Sequence, residues 1–208
     1  MIQVAALFVD PRGIYSDAEG VDPWGIDRDA RRYDGPHPVV AHPPCSRWCA
    51  LAGLVEARYG HKRGDDGGCF ASALANVRRC GGVLEHPAFS KAWDVFDLPT
   101  PPPGDRGWAR GLDGGWTCRV DQAHYGHVAR KSTWLYAYGV YDLPALRWER
   151  ARGTVVVSWC GNKLGRKNPH RERVTHREAI ATPVEFRDIL LGIARSVQTR
   201  RLELNPQP

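Results

Sequence analysis

Between His37 and Pro87 the chain reads as strand, helix, strand: "HPVVAHPPC", then "GGCFASALANVRRCGG", then "GVLEHP". Apolar residues recur at helical spacing from Phe70 to Val77, and Gly81 with Gly82 ends the run. The flanking segments are short, apolar and bounded by proline or glycine, which marks strands, Val83 to Glu85 in the second case. A helix between two apolar strands restricts the chain to a layered α/β fold. Other segments extend that pattern. "VAALFVD" (Val4 to Asp10) is an apolar run closed by the turn signal "DPRG", and a short strand is expected around Trp24 to Ile26. "WTCRVDQAHYG" and "STWLYAYGV" form a strand pair that turns near Gly126, and "TVVVSWC" (Thr154 to Cys160) is a further strand. Asp97 to Gly115 is a loop rich in proline and glycine, long enough to be functional. "TPVEFRDILLGIARSVQ" closes the chain as an amphipathic helix, with Thr182 as N-cap and Pro183 at its first position.

At 208 residues the chain suits a single domain spanning 1–208. Its 42% hydrophobic and 25% charged residues are ordinary for a soluble protein. No apolar run approaches the roughly 20 residues that cross a bilayer. The N-terminal apolar run lacks a basic flank and a cleavage site, so it is expected to be a core strand rather than a signal peptide. The six cysteines are irregularly spaced, which argues for reduced thiols and a cytoplasmic protein. A net charge of +6, mostly from arginine, favours a polyanionic partner, nucleic acid first.

Cys45 follows Pro43 and Pro44 directly at the end of a strand. Such a thiol can be a small buried hydrophobe, a metal ligand or a nucleophile. Strand ends at the carboxyl edge of an α/β sheet are where ligands bind, and the two prolines deny the segment amide donors that would extend the sheet. Arg47 is near enough in sequence to favour a thiolate. His42, Cys45 and Cys49 give one loose ligand pair, whereas a structural zinc site needs short-spaced pairs twice over, so no metal is expected. Glu85 stands at a second strand end, where a carboxylate can be a general acid or can bind a ring nitrogen. Arg130 and Lys131 precede the aromatic-rich strand Trp134 to Tyr138, a mixture that suits phosphate contact and base stacking.

In this order, "PPC", "LEHP" and "QAHYGHVARKSTWL" resemble the DNA (cytosine-5) methyltransferase family. The match carries its Pro-Cys nucleophile motif to Pro44-Cys45 and its Glu-Asn-Val motif to Glu85, with His86-Pro87 in place of Asn-Val. Its Gln-x-Arg-x-Arg element falls on the stretch around Arg130, and "TPVEFRDILLGIA" looks like its closing helix. The resemblance implies a Rossmann-like methyltransferase-type sheet flanked by helices, reduced in size, with a small β-rich and basic insertion in the C-terminal half. It implies a phage-type DNA-modifying enzyme in which the Cys45 thiolate adds to pyrimidine C6 and a methyl group is transferred to C5. Glu85 would hold N3 and the exocyclic amine, and Arg130 the carbonyl oxygen. The base would be flipped out of a duplex or already single-stranded.

The expected donor is S-adenosylmethionine, with Asp10, Gly13 and Asp27 as its candidate contacts. The family's Phe-x-Gly-x-Gly turn is absent, Pro11 stands where that turn would run, and one strand-helix unit is missing before Cys45. A short basic segment, 154–178, takes the place of a target-recognition domain. Its Lys163, Arg166, Lys167, Arg171 and Arg173, together with Arg47 and Lys131, are the expected DNA contacts. Two other readings remain: the same Cys45 chemistry with a different donor, and a non-catalytic basic DNA-binding protein with a vestigial site.

Overall fold

The computed structural model describes residues 3–49, 51–103, 107–151 and 175–204. The expected strand Thr154–Cys160 and the basic residues Lys163, Arg166, Lys167, Arg171 and Arg173 lie outside them.

Among the described residues, seven strands form one mixed sheet: β1 (Val4–Leu7), β2 (Val21–Trp24), β3 (Val39–Ala41), β4 (Gly82–Pro87), β5 (Ala109–Arg110), β6 (Trp116–Asp121) and β7 (Ser132–Tyr138). Their order across the sheet is β2-β1-β3-β4-β7-β6-β5. β1 pairs in parallel with β2 and β3, and β3 in parallel with β4. β7 is antiparallel to β4 and to β6, and β5 is antiparallel to β6. The helices are α1 (Ala52–Tyr59), α2 (Cys69–Cys80), α3 (Ala92–Val95), α4 (His176–Ile180) and α5 (Val184–Leu204). This is an α/β fold compatible with a Rossmann-like sheet.

The alternation of strand side chains divides the core into two layers. Val4, Ala6, Val40, Val83, Leu135 and Ala137 pack with Phe186, Leu190, Leu191, Ile193, Ala194 and Val197 of α5. Ala5, Leu7, Val39, Ala41, Leu84 and Tyr136 pack with Phe70, Ala73, Leu74 and Val77 of α2. Covering both faces is why the inner parallel strands are continuously apolar rather than alternating. It also explains why α2 must stop sharply. Gly82 has φ 128°, and a Cβ there would lie 1.9 Å from the Val39 carbonyl oxygen, so only glycine allows the turn from α2 into β4.

Several boundaries differ from the sequence reading. β2 ends at Trp24 instead of beginning there, and tolerates Pro23 because it is an edge strand. β4 runs to Pro87, which occupies its last position. Part of the Asp97–Gly115 loop folds back as the short edge strand β5. The last helix begins after Pro183, whose carbonyl accepts the Arg187 N–H at 2.9 Å. Cys49 lies in the turn before α1. Among the described residues, no helix is long and apolar enough to cross a membrane.

Candidate functional site

The sheet runs from β1 outward to β2 on one side and to β3 and β4 on the other. The carboxyl ends of β1 and β3 therefore flank the point where strand order reverses, the usual place for a ligand in an open α/β sheet. β3 and β4 pair with Ala41 opposite Leu84. The next residues, His42 and Glu85, accordingly meet on the α5 side of the sheet. His42 Nδ1 and Glu85 Oε2 are 3.0 Å apart, and the Tyr15 hydroxyl is 2.7 Å from His42 Nε2. The other carboxylate oxygen of Glu85 accepts from Gln122 Nε2 at 3.0 Å, and the same Nε2 donates to Thr133 Oγ1 at 2.9 Å. Gln122 is fully buried, and its own Oε1 has no hydrogen-bond partner. An unmet acceptor therefore sits on the side chain that holds the carboxylate.

Beyond His42 the chain turns through buried Pro43 and exposed Pro44 to Cys45, which is half-buried. The Cys45 carbonyl accepts the N–H groups of Trp48 and Cys49, each at 2.9 Å, fixing a tight turn at the thiol. Burial pushes the Cys45 thiol up to about 11, with the Glu85 charge adding to the rise and Lys131 opposing it. Lys131 adopts a left-handed backbone, φ 39°, just before β7. Its ammonium donates to the carbonyls of Ala181 at 2.6 Å and Ile180 at 3.3 Å. Burial lowers its proton affinity, while the charges of Glu85 and Cys45 raise it. Glu85 is only 8% exposed. Burial alone would raise its proton affinity, but the His42 hydrogen bond and the charges of His42 and Lys131 hold the carboxyl down at about 2. The three strand ends thus bring a thiol, a carboxylate and an ammonium into one field.

The other residues singled out in the sequence stand apart from this group. The Arg130 guanidinium faces Asp121 at 3.7 Å, and the cation whose field reaches Cys45 and Glu85 is Lys131. Arg47 is half-buried, and its carbonyl accepts from Gly64 at 3.0 Å. Asp10 and Gly13 close a turn after β1, with the Gly13 N–H donating to the Asp10 carbonyl at 2.9 Å. Asp27 is exposed beyond β2. Trp134 to Ala137 are buried, so most of the aromatic strand is core rather than a stacking surface. Tyr15 and Gln122 were not singled out, and His42 was weighed only as a zinc ligand. The signal for His42 was its position, one residue past a parallel strand and level with Glu85. Among the described residues, no cluster of three His, Cys, Asp or Glu side chains could hold a metal ion.

The residues after β1 do not fit the S-adenosylmethionine site that the resemblance implies. The described connection from β1 to β2 contains turns and no helix, so it supplies no helix N-terminus for a nucleotide. The segment Val9–Pro11 also packs against Gly25, where a Cβ would stand 2.6 Å from the Val9 carbonyl and 2.8 Å from Pro11. No family model, curated protein or solved structure matches the chain.

Proposed function

We propose that the chain is a nucleic-acid pyrimidine-modifying enzyme of the cytosine-5 methyltransferase kind, with Cys45 as the nucleophile. The observation that carries this reading is the convergence of Cys45, Glu85 and Lys131 at the carboxyl edge of the sheet. The cytosine ring is electron-poor at C6 and unreactive at C5. Adding a thiolate to C6 makes C5 an enamine-like nucleophile able to attack an electrophilic carbon, which breaks its bond to the donor; loss of the C5 proton to solvent then expels the Cys45 thiolate and restores the ring. Negative charge reaches N3 and the carbonyl oxygen as the C–S bond forms. Glu85, ionised in the free protein, accepts from the exocyclic amine, and a proton taken up from solvent as the base binds bridges its carboxylate and N3 while the negative charge develops. Lys131 stands where it stabilises both the thiolate and the ring oxygen. Arg130, turned toward Asp121, is better suited to bracing the loop that carries Lys131.

A methyl group is the electrophile that the resemblance implies. The packed, helix-free connection after β1 favours a second version of this reading, in which a different carbon donor meets the activated C5. Mass spectrometry of nucleosides from DNA of cells expressing the protein tests both versions. A modified pyrimidine present with the native chain and absent with Cys45→Ser is the expected result, and its mass increment identifies the group transferred. Unmodified DNA with the native chain overturns the reading.

A further inference from the structure

Glu85 belongs to a hydrogen-bonded line that crosses the sheet: Tyr15 Oη to His42 Nε2, His42 Nδ1 to Glu85 Oε2, and Gln122 Nε2 to Glu85 Oε1. Tyr15 is 3% exposed and belongs to the core formed with α5. Its ring lies 5.5 Å from the His42 ring. The imidazole is therefore held at both ring nitrogens, by Tyr15 at Nε2 and by the carboxylate at Nδ1. A buried carboxylate that keeps its charge needs donors fixed in advance, because no water reorganises to supply them. The line also begins in the β1–β2 connection, so the loop carrying Asp10 and Gly13 is tied mechanically to the carboxylate of β4.

We propose that His42, locked by Tyr15, is a positioning residue that keeps Glu85 ionised and aimed at the pyrimidine edge. This rests on the reading of Glu85 as the base-binding carboxylate and adds to it the device that sets its charge. The charges acting on Glu85 are those of His42 after β3, Lys131 before β7 and His86, the next residue of β4 on its opposite face, and Glu85 in turn acts on Cys45 in the turn after Pro44. Arg187 and Asp188 of α5 and Glu85 itself act on Tyr15. His42 is the ionisable side chain hydrogen-bonded to the carboxylate, and Lys131 acts through its charge alone. Removing the imidazole leaves burial opposed chiefly by Lys131, so the carboxyl would rise toward neutrality. Asparagine preserves a donor near the Nδ1 position and leucine does not.

Carbon-13 spectra of glutamate-labelled protein, with Glu85 assigned by difference from Glu85→Gln, read the titration directly and require no catalysis. Glu85 should remain ionised at pH 6 in the native chain and in His42→Asn. In His42→Leu its titration should move up by more than about one unit, a tenfold change in proton affinity. Tyr15→Phe should give a smaller shift in the same direction, and it supplies the comparison if the leucine variant does not fold. A Glu85 titration unmoved in both Tyr15→Phe and His42→Leu overturns the inference. Nucleoside analysis of the same variants separates the two proposals. A shifted titration with no modified base in the native chain sinks the enzymatic reading and leaves the positioning device standing. If modification occurs, its acid limb should move to higher pH in His42→Leu and return in His42→Asn.

Discussion

A thiol held up at about 11 is protonated at neutral pH, so Cys45 is a guarded nucleophile in the free protein. Two of its causes are removable. Glu85→Gln deletes a negative charge beside the thiol and should lower its pKa, speeding alkylation by iodoacetamide at pH 8. Lys131→Met deletes the opposing positive charge and should slow it. Peptide mass spectrometry of Cys45 alone reads both effects, and equal rates in the two variants would show that neither charge reaches the thiol. In the proposed enzyme, a protonated ring nitrogen paired with Glu85 would offset its charge and lower the penalty on the thiolate, coupling activation to binding. That Cys45 follows one strand and Glu85 belongs to the next could be read from the sequence, because proline and glycine punctuate both strands, although β4 continues past Glu85 to Pro87. Lys131 rather than Arg130 as the neighbouring cation could not. That choice depends on which of two adjacent side chains the left-handed backbone at Lys131 turns inward.

At the scale of elements, the parallel pair β3–β4 makes the site, and its register depends on one glycine. An alanine at position 82 would place its Cβ 1.9 Å from the Val39 carbonyl oxygen and strain a φ of 128°. Gly82→Ala should therefore cost about 4 kcal/mol or more, or prevent folding, as read from the denaturant midpoint. A milder effect is expected at α4. Its Thr175 and Glu178 form a reciprocal capping box, and the carbonyls of its last residue and of Ala181 hold the Lys131 ammonium. Thr175→Ala should cost about 1 kcal/mol of helix stability. It should also loosen Lys131, so Cys45 alkylation should slow as it does in Lys131→Met. The α2 helix and the β6–β7 pair were legible because periodicity and glycine stops act within a short window. The line from Tyr15 to Glu85 was not, because it joins residues 27 and 43 positions apart through a parallel register. Nothing in local sequence reveals which strand will lie beside which. β5 escaped for a related reason: two residues in a proline-rich loop become a strand only because β6 offers them an edge.

For the whole molecule, two buried ionisable groups set the acid limit. Burial depresses His86 to about 4, so it stays neutral in the fold while the unfolded chain takes up a proton below about 6.5. Stability is then lost as pH falls from about 6.5 to 4, by roughly 3 kcal/mol. Glu85, held at about 2, adds stability above its unfolded value near 4.5, and this is lost as pH falls from there toward 2, again by roughly 3 kcal/mol. Urea midpoints at pH 7, 5 and 3 should fall in two stages, and His86→Phe should remove the first. The net charge of +6 acts at longer range. A protein that neutralises phosphates releases about 0.9 counterions for each one, so affinity falls with salt by a slope that counts those contacts. Replacing Lys163, Arg166 and Lys167 by glutamine should lower the slope for DNA binding by about 3 if each contacts a phosphate. If Glu85 holds a base edge as proposed, Glu85→Gln should weaken retention of a pyrimidine-bearing strand without changing that slope, because a base contact releases no counterions. An unchanged slope in the triple variant would remove the basic segment from the nucleic-acid surface and leave Arg47 and the sheet edge to supply the contacts.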